Sequence, residues 1–138
     1  MLRLDDVHVH IGKLHILQGV HLDVQPGESA ALLGRNGVGK TTTLRAIMGL
    51  APKSRGSIAF DGIDLARCPP HEVPRRGIGY VPQGRGIFPN LTVEENLTLV
   101  TYAGVSDRKV REIAFTQFPR LKDNLAAPAK REARNSRL

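Results

Sequence analysis

The chain has 138 residues, 41% of them apolar, which is enough for one domain of ordinary size with a hydrophobic core. Its 20 Lys and Arg against 13 Asp and Glu give a net charge of +7, which favours anionic partners without choosing among nucleotides, nucleic acid and lipid surfaces. The single cysteine, Cys68, excludes an intrachain disulfide and a cysteine-based metal site. The first residues include acids where a signal peptide is basic, and no run reaches the roughly 18 apolar residues of a membrane span, so we expect a cytosolic protein.

Alternating apolar residues predict two half-buried strands at the start of the chain. The first runs from Leu2 to Ile11, and the second contains Val20 to Val24 and ends at the Pro26-Gly27 turn. Together they indicate an antiparallel layer. The continuous apolar run Ser29 to Leu33 instead predicts a strand buried on both faces, as in a parallel sheet, and it leads directly into a glycine-rich loop.

The segments after this loop alternate between helix and strand. Apolar residues at helical spacing predict a helix from Thr41 to Leu50, which Ala51-Pro52 ends. Asp61-Gly62 between two short apolar runs predicts a hairpin. The remaining predicted elements are a short helix from Pro70, a buried strand at Ile78 to Val81, a helix after the capping-box residues Thr92 and Glu95, and a helix from Asp107 to Phe118.

The glycine-rich loop from Gly34 to Thr41 has the spacing G-x-x-x-x-G-K-[ST] of a P-loop. In such a loop the backbone N–H groups point at phosphate oxygens, and the following helix adds its positive N-terminal end. A plain turn between a strand and a helix is the alternative, but the pattern rarely arises by chance and has the expected context. The candidate phosphate-binding residues are Gly34, Asn36, Gly37, Gly39, Lys40, Thr41 and Thr42.

Several segments together resemble the ATP-binding-cassette (ABC) transporter family, and more narrowly the ATPase subunits of branched-chain amino acid or urea-type importers. The similarity covers approximately residues 2 to 122. Its last stretch, Ile87 to Leu97, is the most specific to this importer branch. The segments that carry the resemblance are Gly27-Glu28, the P-loop, Gly56-Ser57-Ile58 with Asp61-Gly62, Gly77 to Arg85, and Ile87 to Leu97.

The resemblance implies an α/β fold, the N-terminal portion of a P-loop ABC ATPase core with an antiparallel β layer and part of a helical subdomain. It implies that residues 1–122 are the N-terminal part of the nucleotide-binding domain, while residues 123–138 read as a basic, weakly ordered tail. It also implies ATP and Mg²⁺ as cofactors. Lys40 would reach the β- and γ-phosphates, and Thr41 and Gln83 would ligate Mg²⁺ directly or through its water, roles that suit hard oxygen ligands.

The sequence departs from the family pattern in two ways that bear on ATP binding and hydrolysis. Ile11 occupies the position where the family usually places an aromatic ring against adenine, so a stacking contact is lost. After Lys122 the chain lacks the family's Ser-Gly-Gly signature, its Asp-Glu strand end and its switch His. We therefore expect ATP binding without hydrolysis, as from a truncated or frame-shifted copy, with unpaired strand edges and exposed apolar faces around the retained core strands.

The implied partners are the transmembrane subunits of an importer and, in a dimer, another ATP-binding subunit, which would hold the chain at the cytoplasmic side of the membrane. A different hypothesis is a non-catalytic interaction protein or decayed fragment that pairs with a full-length ATPase or membrane subunit. A nucleic-acid binder is supported by charge alone, so no specific nucleic acid is expected. The scattered His8, His15 and His21 have no metal-ligand spacing and are expected to be surface or structural side chains.

Overall fold

The computed structural model describes residues 1–84 and 86–129, and the chain divides into two compact units, residues 1–80 and 81–138. Arg85, in one of the motifs above, and residues 130–138, which hold most of the predicted basic tail, lie outside the described residues. No helix within the described part is long and apolar enough to cross a membrane.

Strands dominate the first unit, and helices make up the regular structure of the second. The first unit contains strands β1 (Leu2–Ile11), β2 (Leu14–Val24), β3 (Lys53–Phe60) and β4 (Ile63–Asp64), helix α1 (Lys40–Ile47), and 3₁₀ helices at Leu65–Arg67 and Pro74–Arg76. The second contains helices α2 (Val93–Leu99) and α3 (Asp107–Gln117) and 3₁₀ helices at Val100–Ala103 and Pro119–Asn124.

The four strands form one sheet in the order β2-β1-β3-β4, and each neighbouring pair is antiparallel. The predicted antiparallel layer is therefore confirmed, as is the hairpin at Asp61-Gly62, where both residues have the positive φ of a tight two-residue turn. Strand β2 begins earlier than predicted, because a two-residue turn at Gly12-Lys13 pairs Ile11 directly with Leu14.

One face of the sheet packs against α1 and forms the core of the first unit. Leu4, Val7 and Val9 of β1 and Leu17 of β2 are almost fully buried there. Gly56 of β3 passes so close to β1 that a Cβ would overlap the carbonyl oxygens of its neighbours, and its φ of 87° also favours glycine. The sheet and α1 thus form a packed platform beneath the glycine-rich loop.

Two predicted buried strands are wrong. Ser29 to Leu33 and Ile78 to Val81 are irregular, and Leu33 and Val81 are 90% and 86% exposed. A strand needs a neighbouring backbone to satisfy its N–H and C=O groups, and no described residue pairs with either segment. The expectation of exposed apolar residues around these segments is confirmed.

Helix α2 begins at the predicted capping box. Thr92 accepts a hydrogen bond from the Glu95 backbone, and the Glu95 carboxylate accepts one from the Thr92 backbone. The N–H of Val93 donates to the carbonyl oxygen of Ala127, and the N–H of Glu94 donates to that of Leu125, each at 3.0 Å. A helix leaves the N–H groups of its first turn without partners inside the helix, and the start of the predicted weakly ordered tail accepts hydrogen bonds from two of them here. This part of the predicted tail is therefore hydrogen-bonded to α2.

Two of the other helix predictions differ only in their ends, and a third differs in helix type as well. The helix from Asp107 is confirmed and ends at Gln117, one residue before the predicted Phe118. Helix α1 begins at Lys40 and ends at Ile47, because Gly49 takes a left-handed φ of 69°. The short helix expected from Pro70 begins at Pro74 instead and is a single 3₁₀ turn.

Candidate functional site

The glycine-rich loop has a backbone that side-chain-bearing residues adopt poorly. Gly34, Gly37 and Gly39 have φ values of 151°, 86° and 98°, all in the positive region. The loop runs directly into α1, with Gly39 at the N-cap position. This conformation turns the chain back on itself immediately before the helix, as a phosphate-binding loop requires.

Lys40, the first residue of α1, reaches back across the loop. Its ammonium donates hydrogen bonds to the carbonyl oxygens of Gly34 and Arg35, each at 2.7 Å. These two bonds close the loop around the cation and use two of the three N–H groups that a lysine carries. The positive charge is therefore held over the helix N-terminus, where an anion is favoured.

Gly39 anchors the end of the loop to β2. A Cβ at this position would lie 2.6 Å from Cδ2 of Leu17 and 3.3 Å from the backbone oxygen of Ile16. Leu17 is only 2% exposed, so it has little room to move aside. The absence of a side chain at Gly39 thus permits the helix N-terminus to rest directly on the strand.

The hydroxyl groups at the start of α1 have different surroundings. Thr43 is buried, and both its backbone N–H and its hydroxyl donate to the carbonyl of Gly39. Thr41 is exposed and Thr42 is half-buried. Because Gly39 provides no capping side chain, the first N–H groups of α1 meet no side-chain acceptor. Backbone donors and the Thr41 hydroxyl therefore surround the helix N-terminus.

The charged residues in the stretch of sequence around the loop are all cationic. Residues 29 to 60 include no Asp or Glu, whereas they contain Arg35, Lys40, Arg45, Lys53 and Arg55. Arg35 and Lys40 belong to the loop itself, so their positive charges add to the field of the helix N-terminus and attract anions. The arrangement can bind a phosphate group, and no carboxylate in this stretch opposes it.

The other predicted site residues lie away from regular structure or at its edge. Gln83 is exposed on an irregular segment of the second unit, whereas all seven loop candidates belong to the first unit. Ile11 is the last residue of β1, pairs with Leu14 across the hairpin turn and is 57% exposed. An isoleucine there presents an aliphatic surface without an aromatic ring.

Sequence reasoning missed two contacts near the loop. The first is the packing of Gly39 on Leu17, which depends on the three-dimensional path of β2. The second is the pairing of His10 with His15, which brings His8, His10 and His15 together on one face of the β1-β2 hairpin. Counting residues outward from the Gly12-Lys13 turn would have found this second contact.

Comparison with known proteins places the loop in a family context. Residues 17–136 match the family model described as ABC transporter. A similar curated protein is the high-affinity branched-chain amino acid transport ATP-binding protein BraG of Pseudomonas aeruginosa, 38% identical over 125 residues. That alignment covers 89% of this chain and 54% of BraG, so the chain spans about half the length of this relative.

Solved structures support the same fold. An ATP-binding subunit of an ABC transporter superposes with a TM-score of 0.79 at 32% identity, over 93% of this chain and 54% of that one. The ATP-binding cassette MJ0796, solved as a dimer bound to ADP and phosphate, gives a TM-score of 0.75 over 94% of this chain and 62% of that one. At 24% identity, MJ0796 supports the fold alone. The fold is thus the N-terminal portion of a P-loop ABC ATPase, as the sequence predicted.

Proposed function

Because the chain belongs to the ABC transporter family, we propose that it is an ATP-binding component whose loop, from Gly34 to Thr42, binds the phosphates of ATP. The observation that carries this proposal is the position of the Lys40 ammonium, held by the carbonyls of Gly34 and Arg35 at the N-terminus of α1. Its third N–H is left for a phosphate oxygen.

The backbone of the loop supplies the other phosphate contacts in this proposal. The N–H groups around Gly37 and Gly39 and those of the first turn of α1 donate to phosphate oxygens. Asn36, at the exposed turn of the loop, and Thr42, in the first turn of α1, complete the set. Ile11 offers the base only an aliphatic contact, so selectivity for adenine is expected to be weaker than with an aromatic ring.

The donor set fits Mg²⁺. Thr41 provides an exposed hydroxyl and Gln83 an exposed amide oxygen, both of them hard neutral ligands of the kind that Mg²⁺ accepts. We propose that Thr41 and Gln83 would hold the ion, directly or through its water, as the family resemblance implies. When bound, the ion neutralises phosphate charge, while Lys40 holds the phosphates against the helix N-terminus.

Binding of Mg-ATP to the full chain tests the phosphate site. Lys40→Ala removes the ammonium and is expected to abolish measurable binding by calorimetric titration. Lys109→Ala is the matched control, because Lys109 is an exposed lysine near the start of α3 in the other unit. Equal affinity of wild type and Lys40→Ala, both shown to be folded by circular dichroism, would refute the phosphate site.

The transported substrate is proposed from the similarity to BraG, whose name specifies branched-chain amino acids. We propose that the protein serves an importer of branched-chain amino acids or, as the wider branch suggests, of urea or short amides. In this role it binds transmembrane subunits at the cytoplasmic face of the membrane and pairs with another ATP-binding subunit. Co-purification of this chain with a tagged transmembrane subunit of such an importer tests the assignment.

The chain of 138 residues is expected to bind ATP without turnover. It contains no Ser-Gly-Gly segment and no Asp-Glu pair, which in the family are needed to complete the hydrolytic site. A Lys40-dependent release of phosphate above background would contradict this expectation. The measurement is a steady-state phosphate assay with Lys40→Ala as the blank.

A non-catalytic interaction protein is the second candidate, and the surface of the second unit favours it. Phe88, Tyr102 and Phe118 are 58%, 76% and 65% exposed, which is unusual for large aromatic side chains. In this alternative the chain pairs with a full-length ATPase or a membrane subunit without using nucleotide. Complex formation that survives Lys40→Ala and removal of ATP would favour it over the first proposal.

A further inference from the structure

Three of the five histidines meet on the outer face of the β1-β2 hairpin. Nδ1 of His8 lies 3.0 Å from Nε2 of His15, and Nε2 of His8 lies 3.0 Å from a carboxylate oxygen of Asp6. The ring of His10 stacks on that of His15, with centroids 4.1 Å apart and planes 8° from parallel. We call Asp6, His8 and His15 the histidine relay.

The geometry of the relay requires a single proton between the two imidazoles. An ionised Asp6 only accepts hydrogen bonds, so Nε2 of His8 carries a hydrogen. The His8 and His15 rings lie with centroids 5.1 Å apart and planes 23° from parallel, and one nitrogen of each ring lies 3.0 Å from the other. This arrangement suits an N–H···N bond better than joint coordination of a metal, and the described residues contain no group of three or more candidate metal ligands.

Acidification removes the basis of this bond. When both imidazoles are protonated, each facing nitrogen carries an N–H and two positive charges lie beside each other, so neither ring can accept the hydrogen bond. The only carboxylate in the relay is already shared, because Arg55 of β3 binds the other oxygen of Asp6 at 2.9 Å. The remaining histidine of the hairpin, His21, is engaged with Asp5 at 3.0 Å and does not compensate.

The surroundings of His15 favour its neutral form. Desolvation, followed by the neighbouring charges of His10 and His8, lowers the pKa of His15 below its ordinary value. A histidine with a lowered pKa in the folded state contributes stability above the unfolded pKa of about 6.5. That contribution is lost as the pH falls below this value.

The relay adjoins the strand segment that supports the P-loop. His15 directly precedes Ile16 and Leu17, the two residues on which Gly39 rests. We propose that protonation of the His8-His15 pair releases this segment of β2 and thereby weakens phosphate binding at the loop. The pair is thus an acid-sensitive latch, and its effect on nucleotide rests on the function proposed above.

Variants at two histidines test the latch. His15→Gln keeps a hydrogen-bonding side chain that does not titrate in this range, and His21→Gln is the matched control on the same strand outside the relay. Between about pH 7.5 and about pH 5.5, amide exchange by NMR is expected to show a loss of protection at residues 14–17 in wild type and in His21→Gln. His15→Gln is expected to retain protection.

Mg-ATP affinity at the same two pH values provides the second readout. Wild type and His21→Gln are expected to lose more affinity on acidification than His15→Gln. Because the nucleotide titrates in the same way in all three samples, its own protonation does not affect this comparison. Equal loss of protection in all three proteins would overturn the latch, as would a wild-type hairpin that stays protected at low pH. Equal loss of affinity in all three proteins, despite retained protection in His15→Gln, would overturn the proposed effect of the His8-His15 pair on the loop. Absence of nucleotide binding at both pH values would instead refute the proposed function and leave the hairpin result valid.

Discussion

Gly39 meets two separate requirements, a left-handed backbone and close contact with β2. Gly37 meets only the first, since its φ of 86° is positive but no atom lies within 4 Å of a Cβ at that position. Comparison of the two glycines therefore distinguishes the requirement for a left-handed backbone from the requirement for space beside β2. This distinction exists at the scale of single residues and is invisible in the motif, which fixes one of the two glycines and leaves the other variable.

Alanine substitutions at these glycines are expected to differ in stability. Gly37→Ala should cost about 1 to 2 kcal/mol from the left-handed backbone alone. Gly39→Ala should cost at least about 1 kcal/mol more, because the methyl group overlaps buried Leu17 and approaches the Ile16 carbonyl. Urea denaturation without nucleotide measures both values, and equal destabilisation would argue against the contact with β2.

At the scale of elements, α2 shows how local chemistry fixes the start of a helix. Its capping box uses Thr92 and Glu95, and Arg111 of α3 binds both Glu94 of α2 at 3.0 Å and Asp107 of its own helix at 2.7 Å. The capping box could be predicted because its residues are three apart in sequence. The link through Arg111 could not, since it joins residues 17 apart whose proximity depends on packing.

Thr92→Ala is expected to destabilise the second unit by about 1 kcal/mol through loss of the cap. Thr98→Ala is the control, because the Thr98 hydroxyl donates to the Glu94 carbonyl within the helix and caps nothing. Thermal unfolding followed by circular dichroism at 222 nm measures the difference. Equal transition temperatures for both variants would show that the cap contributes little.

The capping box of α2 also predicts that the stability of the folded state depends on pH. Hydrogen bonds from the Thr92 backbone and then from its hydroxyl lower the pKa of Glu95. A lowered pKa in the folded state gives stability that is present above the unfolded glutamate pKa of about 4.3 and is lost as the pH falls through the folded value. Glu95→Gln should therefore flatten the pH dependence of unfolding below this pH, and an unchanged profile would contradict the role of the carboxylate.

At the scale of the whole molecule, the sequence predicted what depends on neighbours in the chain and failed where distant partners decide. The P-loop, the antiparallel hairpins and the starts of α2 and α3 follow from residues a few positions apart. Ser29 to Leu33 has the composition of a buried strand, yet it is exposed because no described segment pairs with it. The histidine relay and the Gly39-Leu17 contact also depend on the register and path of β2.

The exposed apolar segment predicts self-association. Leu33→Gln is expected to reduce association of the full chain without lowering its unfolding temperature, because Leu33 is 90% exposed and buries little surface. Leu17→Gln, at a position only 2% exposed, should instead unfold the protein. Light scattering across a concentration series measures association, and a large loss of stability in Leu33→Gln would show that this side chain is packed.

The loop from Gly34 to Thr42 is proposed above to bind the phosphates of ATP. The most direct test is to titrate the ¹⁵N-labelled full chain with Mg-ATP and to follow its backbone amide signals by NMR. We expect saturable shifts concentrated at residues 34–42, which are absent in Lys40→Ala. Shifts confined to other parts of the chain, or none in a folded wild-type protein, would contradict it.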